Sequence, residues 1–527
     1  MSAVLVRNAR CWTGDASQPW AEAALVRDER FAFVGREADA ALPADVDVID
    51  VGRRLVVPGF IDGHAHLLNT GMAMRSVDLK DASSVEDAVA RVAQRIAGVA
   101  DGAWVRGAGW DQHSWPDTRF PNRHQLDAVA PDNPVVLIHT SGHCVWVNSL
   151  ALHIAGVTRD TQPPAGGEIG RDDRGEATGI LLDNAVQLVY AVMPPTTRDE
   201  RVAAIRQAIE HAHSVGLTGA HAMDAGRGEL SALRALHESG ELRFRTRAFL
   251  SAARLDDWLG NARTGDGDEL LRIGGVKFFS DGALGSLTAW LLRPYQGSVD
   301  SGFPLVPRDE LERQVRACLE SGLAPAIHAI GDRANREVLD ILERTRGLAP
   351  ELPRRIEHAQ LLAEEDVPRF GRLGVTASVQ PIHATQDMRK VDSCWGDRGR
   401  GAYAFAALLA HGANLAFGSD SPVETIDPLA GLHAAVTRRN ARGDPADGWY
   451  PAERLPIETA LAAYGAGCAR ATNEQSSLGR IAPGYHADCV VLSEDILALA
   501  DPMRILDARV DMTVVGGEVV YRREGAW

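Results

Sequence analysis

Val56-Val57-Pro58-Gly59-Phe60-Ile61-Asp62-Gly63-His64-Ala65-His66 is the stretch whose reading decides the fold. An apolar run, Leu55 to Val57 and again Phe60-Ile61, ends in two histidines one residue apart. Side chains two residues apart on a strand point to the same side. Two imidazoles leaving a buried strand at that spacing can grip one ion together, and imidazole is a common ligand for zinc and its first-row neighbours. A bare His-x-His also arises by chance at strand ends. Its meaning therefore depends on whether later strands bring further ligands to the same end.

Downstream of this stretch, strand patterns alternate with helical ones, which implies parallel βαβ units. Eight strands are expected: Leu55 to Ile61, Leu217 to Met223, Phe244 to Leu250, Ile273 to Phe279, Ala324 to Ala329, Arg355 to His358, Val375 to Val379 and Asn414 to Gly418. Helical stretches such as Glu200 to Ser214, Asp309 to Glu320 and Asn335 to Arg344 lie between them. Eight such units are the count of a (β/α)8 TIM barrel, whose active site gathers at the C-terminal ends of the strands.

Those ends carry ligand-type residues in order. They are His64 and His66 on the first strand, Lys277 on the fourth, His328 on the fifth, His358 on the sixth and Asp420 after the eighth. A lone histidine on a strand is more often a packed core residue. A charged, unpaired lysine inside an apolar strand is costly, so Lys277 needs a partner or a modification. Six such residues ending barrel strands point together to a metal centre. Asp281, His221 and His383 are further candidates for contact with a substrate, by their positions near strand ends. Glu357 should point away from the site by strand alternation.

The order His-x-His, Lys, His, His, Asp resembles the amidohydrolase superfamily with a two-metal centre. The local wording is closest to its family-3 branch, whose best-described activity is hydrolysis of N-substituted formamides. The resemblance includes Pro58 to His66, Ser141-Gly142-His143-Cys144-Val145-Trp146, Gly166-Gly167-Glu168-Ile169-Gly170-Arg171-Asp172, Lys277 with Asp281-Gly282-Ala283, and His328 with Gly331-Asp332-Arg333. It implies that His64, His66 and Asp420 bind the more buried of two divalent metal ions, zinc by expectation, and that His328 and His358 bind the second. It implies that CO2 carboxylates Lys277 into a bridging carbamate. It further implies a bridging hydroxide as nucleophile, with Asp420 as general base.

The gap between the first two strands far exceeds one βα unit. Residues 70–215 are read as an inserted subdomain covering the active site, with His143 and Trp146 as candidate substrate contacts. The aromatics Trp104, Trp110, Trp115 and Trp146 suggest an apolar N-substituent. Residues 1–54 and 479–527 are both rich in short strands, and Gly516-Gly517 is a hairpin signal. They are expected to form one small β-sandwich domain from both termini, flanking a barrel of residues 55–69 and 216–478.

The chain has 527 residues, 45% of them hydrophobic, with a formal net charge of -16, values that suit a globular protein and argue against nucleic acid or an anionic membrane as partner. Its six scattered cysteines form no CxxC pair, and no run reaches the ~18 apolar residues of a membrane helix. A cytoplasmic hydrolase of a small-molecule substrate is expected, acting on a non-peptide carbon–nitrogen bond, most simply a linear amide. A homodimer is common for large barrels. Two alternatives stand beside this: a hydrolase of a lactam, cyclic imide, carbamate, urea or ester with the same metal centre, or a ligand-binding barrel without turnover.

Overall fold

The computed structural model describes residues 3–43 and 45–526; Met1, Ser2, Ala44 and Trp527 lie outside them. Eight strands form one parallel sheet in chain order: β1 (Phe60–Ala65), β2 (Leu217–Ala225), β3 (Arg245–Ser251), β4 (Leu271–Phe279), β5 (Pro325–Ala329), β6 (Arg354–His358), β7 (Val375–Val379) and β8 (Asn414–Phe417). Helices return the chain between most of them, among them Arg227–Glu238, Arg308–Glu320 and Asp332–Arg344. The last buries Ala334, Val338, Leu339, Ile341 and Leu342, the apolar stripe of an amphipathic helix lying on a sheet. The fold is a distorted (β/α)8 barrel.

The sequence reading ran Leu55 to Ile61 as a single strand, and the structure divides it at Gly59. Leu55–Pro58 pairs with Cys489–Leu492 and with Arg10–Trp12, whereas Phe60–Ala65 enters the barrel. The break has a steric cause. A Cβ at Gly59 would lie 2.5 Å from the Thr218 side chain and 3.0 Å from that of Asp488. Only glycine lets the chain pass there while its N–H donates to Asp488 O at 3.0 Å.

Leu55–Pro58 is thereby the central link of a second sheet. That sheet runs Glu518–Arg522, Val510–Val515, Cys489–Leu492, Leu55–Pro58, Arg10–Trp12, Trp20–Ala21, so strands from both ends of the chain share it. A four-stranded sheet of residues 3–7, 23–27, 30–35 and 46–50 packs on it through Val26, Phe31, Val56, Cys489 and Met512. Two buried ion pairs fasten the C-terminal segment to the barrel floor: Arg245 with Asp488 (2.5 and 2.8 Å) and Arg247 with Glu474 (2.6 and 2.8 Å).

Residues 68–207 form a separate compact unit. Its mixed six-stranded sheet is built from residues 77–78, 105–110, 135–139, 144–147, 167–171 and 177–183. Here the structure corrects the reading of the aromatics. Trp110, Trp115 and Trp146 fill the core of this unit, with Trp110 ring centroids 6.0 Å from Trp115 and 6.1 Å from Trp146. The indole N–H of Trp110 donates to Leu137 O and that of Trp115 to Ala82 O. These rings stabilise the unit by packing. All six cysteines are free thiols. Among the described residues no helix is long and apolar enough to cross a membrane.

The barrel closes where β8 meets β1, and two glycines and one carboxylate make that seam. A Cβ on Gly63 would lie 2.8 Å from Phe417 O, and one on Gly418 would press on the His64 backbone nitrogen. Asp62, buried between the strands, accepts from Ser419 Oγ (2.5 Å), Ser419 N (3.0 Å) and His64 N (2.9 Å). Backbone bonds from Asp420 N to His64 O (2.7 Å) and His66 N to Ser421 O (2.9 Å) complete it. Gly418→Ala should therefore force the seam apart and lower stability by about 1–3 kcal/mol, as overpacking does. Thermal unfolding checks this, and a wild-type midpoint would refute the steric role given to Gly418.

Candidate metal centre

The seam is what sets the site. It carries His64 of β1, His66 just after it and the turn after β8 to one place, and Asp420 adopts a left-handed φ of 58° there. Its Oδ1 lies 3.2 Å from His66 Nε2 and 3.5 Å from His64 Nε2. Its Oδ2 lies 4.0 Å from His383 Nε2. Two groups of ligand atoms, each within 4.8 Å, result: His64, His66 and Asp420, and His358, His383 and Asp420. Asp420 belongs to both.

The histidines are oriented from behind. His64 Nδ1 donates to Glu357 Oε2 at 2.6 Å, and His358 Nδ1 donates to Gln380 Oε1 at 2.9 Å. His328 Nε2 donates to Gly282 O at 3.0 Å. Each bond fixes which ring nitrogen keeps its lone pair. The Nε2 atoms of His64 and His383 are buried and have no hydrogen-bond partner. A buried, orphaned nitrogen is costly, and a cation facing these lone pairs removes that cost. The donor set of imidazoles and one carboxylate thus fits a divalent first-row ion.

Electrostatics point the same way. Burial holds the His64 pKa down at about 4 and His328 at about 3, with Lys277 adding to both, which favours the neutral rings that can offer a lone pair. Burial opposes the Asp420 carboxylate, but His64, His66, His358 and His383 outweigh it and hold the pKa well below the usual range. Lys277 is 1% exposed with Nζ 4.9 Å from the Phe279 ring. Burial lowers its pKa, against the pull of Glu357 and Asp420.

A cavity of about 400 Å³ opens over these groups. His64, His66, Lys277, His328, His358, His383 and Asp420 all line it, so the structure brings together the six expected ligands and one of the softer candidates. His383 stands with His358 and Asp420, while His328 lies outside both tight groups. Phe279, Leu284, Ile330 and Val423 give the cavity an apolar wall.

The other candidates fall elsewhere. Asp281 is buried behind His328, accepting from the backbone nitrogens of Trp290 (2.8 Å), Gly331 (2.9 Å) and Ile330 (3.0 Å). His221 is buried in the barrel, its Nδ1 accepting from Arg355 at 2.8 Å, and it does not reach the cavity. Trp146 is enclosed because all four residues of its strand, Cys144–Val147, are buried in the inserted unit. His143, in the same unit, is exposed with Nδ1 3.3 Å from Asp183.

Sequence reasoning missed Glu357, placing it away from the site. Alternation fails there because His358 and Ala359 take φ of 70° and 42°, which ends the strand and turns His358 inward as well. The signal was present in Arg355-Ile356-Glu357-His358. Three polar groups in four residues of a central strand must find partners inside.

With this geometry in place, the comparisons with known proteins are consistent with it. The amidohydrolase family profile matches residues 47–521, and the chain belongs to that family. It is 30% identical over 552 residues to N-substituted formamide deformylase of Arthrobacter pascens, covering 100% of this chain and 99% of that one. It is 35% identical over 540 residues to the protein LONG AFTER FAR-RED 3 of Arabidopsis thaliana, covering 98% and 91%. An uncharacterized metal-dependent hydrolase from Pyrococcus horikoshii has the same fold with a TM-score of 0.79 at 30% identity, over 94% of this chain and 99% of that one.

A shared ligand makes a specific prediction. Asp420→Ala should lose divalent metal from both groups, whereas His383→Ala should lose it from one. Elemental analysis of chelator-free protein distinguishes them, and full metal content in Asp420→Ala would show that Asp420 is not shared.

Proposed function

We propose that the chain hydrolyses a non-peptide carbon–nitrogen bond, with N-substituted formamides as the leading substrates and two divalent ions, zinc first among them, at the site. The observation that carries this is one buried carboxylate, Asp420, facing two sets of histidines whose ring nitrogens lie within 4.8 Å of it. A divalent ion bound there supplies Lewis acidity, which makes water a nucleophile near neutral pH and polarises an acyl oxygen. The protein's own groups do the rest. Asp420 is ionised, 3.2 Å from His66 Nε2, and is the group placed to take a proton from the attacking water. The same carboxyl, once protonated, can deliver that proton to the departing nitrogen, which is otherwise too basic to leave. Phe279, Leu284, Ile330 and Val423 give an apolar surface for the N-substituent and exclude water from that side.

Burial favours the neutral amine of Lys277, and a neutral amine is the form that adds CO2. A carbamate at Lys277 would replace a buried amine by an anionic group in the cavity that His64, His328, His358 and Asp420 also line. Native mass spectrometry under mild conditions should find the mass of one CO2 on the wild type and not on Lys277→Ala. A wild-type mass equal to that of the unmodified sequence would remove the carbamate from this reading.

Activity tests the whole. Metal-reconstituted protein should release amine from N-alkyl and N-aryl formamides, and chelator-treated protein should not. Turnover of lactams, carbamates or esters with formamides untouched would move the substrate class. Asp420→Asn keeps a neutral oxygen donor and should retain metal while kcat falls by about 10²–10⁴, the usual span for a lost general base. A full rate in that variant would reassign the proton transfer.

A further inference from the structure

Beneath His64 lies a network that the proposed reaction does not itself use. Arg355 and Glu357, both fully buried, form a bidentate pair, with Nε to Oε1 at 2.5 Å and Nη2 to Oε2 at 3.2 Å. Arg355 Nη2 also donates to Gly63 O (2.6 Å) and Ser378 Oγ (2.7 Å), and Nη1 donates to His221 Nδ1 (2.8 Å). Its guanidinium carbon lies 4.9 Å from the Phe249 ring centroid. Glu357 Oε2 is thus held from one side by arginine and accepts His64 Nδ1–H from the other.

His64, His358 and His328 differ in what holds the nitrogen turned away from the cavity. His64 donates to a carboxylate, His358 to the amide oxygen of Gln380, and His328 to a backbone carbonyl. A charged acceptor makes the shorter and stronger bond and raises the electron density on the opposite nitrogen. That nitrogen in His64 is the orphaned Nε2 facing Asp420.

We propose that Glu357, clamped by Arg355, is a positioning residue that makes the His64–His66–Asp420 group the tighter of two unequal metal sites, so that group fills first. Glu357 fixes the tautomer and the ring plane of His64 before any ion arrives. Gln380 does the same for His358 with a neutral acceptor, and its Nε2 is itself buried without a partner, which leaves that side less firmly built. This inference rests on the metal-binding reading of the site.

The experiment is calorimetric titration of metal-free full-length protein with Zn2+ against a competing chelator, with Tm recorded for each metal-free variant. Wild type should show two binding phases of different affinity. Glu357→Gln should weaken the tight phase by about 10–100-fold, the range for lost ligand-supporting groups, and leave the weak phase in place. Glu357→Asp, which keeps the charge, should recover part of it. Gln380→Ala should weaken only the other phase. Because Glu357→Gln leaves Arg355 buried without its counter-charge, the paired variant Arg355→Met/Glu357→Gln removes both charges and should show the same selective loss in a folded protein. Wild type that binds no metal would overturn the reading of the site itself. Two equal phases in wild type, or folded Glu357 variants with both affinities unchanged or equally reduced, would overturn this inference alone.

Discussion

A full positive charge sits in the middle of this barrel, and the molecule is arranged to satisfy it. Arg355 reaches β1 through Gly63 O, β2 through His221, β3 through the Phe249 ring and β7 through Ser378, and it pairs with Glu357 on its own strand. In a low-dielectric interior such a group is tolerated only when its donors are met. Meeting them fixes the relative heights of the strands it touches. Removal of either charge alone would strand the other, which is why the pair behaves as a structural unit. Its position is also chemical, since the carboxylate it steadies is the one that holds His64.

The seam between β8 and β1 applies the same constraint at the rim. Asp62 has burial pushing its pKa up to about 6 while Ser419 and His64 hold it down. It spans the two strands with three accepted bonds. The glycines on either side permit an approach that any side chain would prevent. The backbone then has no freedom to move His64 away from Asp420, because Asp420 N is bonded to His64 O. The spacing of His64, His66 and Asp420 is inherited from barrel closure.

Much of this could be read in the sequence, and the limits follow from physics. The barrel was legible because each strand is a short apolar run ended by a turn, and the candidate ligand set because the first, fourth, fifth, sixth and eighth runs finish in or just before a ligand-type side chain. His383 was found by its position after Pro381, although its partnership with His358 and Asp420 depends on a helix start that propensity does not place. Glu357 was misjudged because a period-two rule holds only while φ stays negative, and His358 ends that regime. Trp146 was misjudged because an aromatic in an insertion looks available until its sheet is known. Non-local contacts decide that, and in this unit residues 144–147 pair with 177–183 across an intervening helix, Ser149–Ile154, and strand, Gly167–Arg171. Asp62 and Gly418 were in plain view, but their purpose appears only when the first and eighth strands are adjacent.

The division at Gly59 has a consequence for how this protein can be altered. One continuous run of chain is a central strand of the terminal sheet up to Pro58 and a wall of the barrel from Phe60. The sheet that contains it is completed by residues 489–522 from the far end. The small domain is therefore not a detachable cassette. Clipping either end, or grafting the barrel onto a foreign partner, disturbs the strand that presents His64 and His66. Recombination between relatives should succeed at the borders of residues 68–207, where a compact unit leaves and rejoins the chain, and fail at the ends, where the two termini behave as one inseparable part.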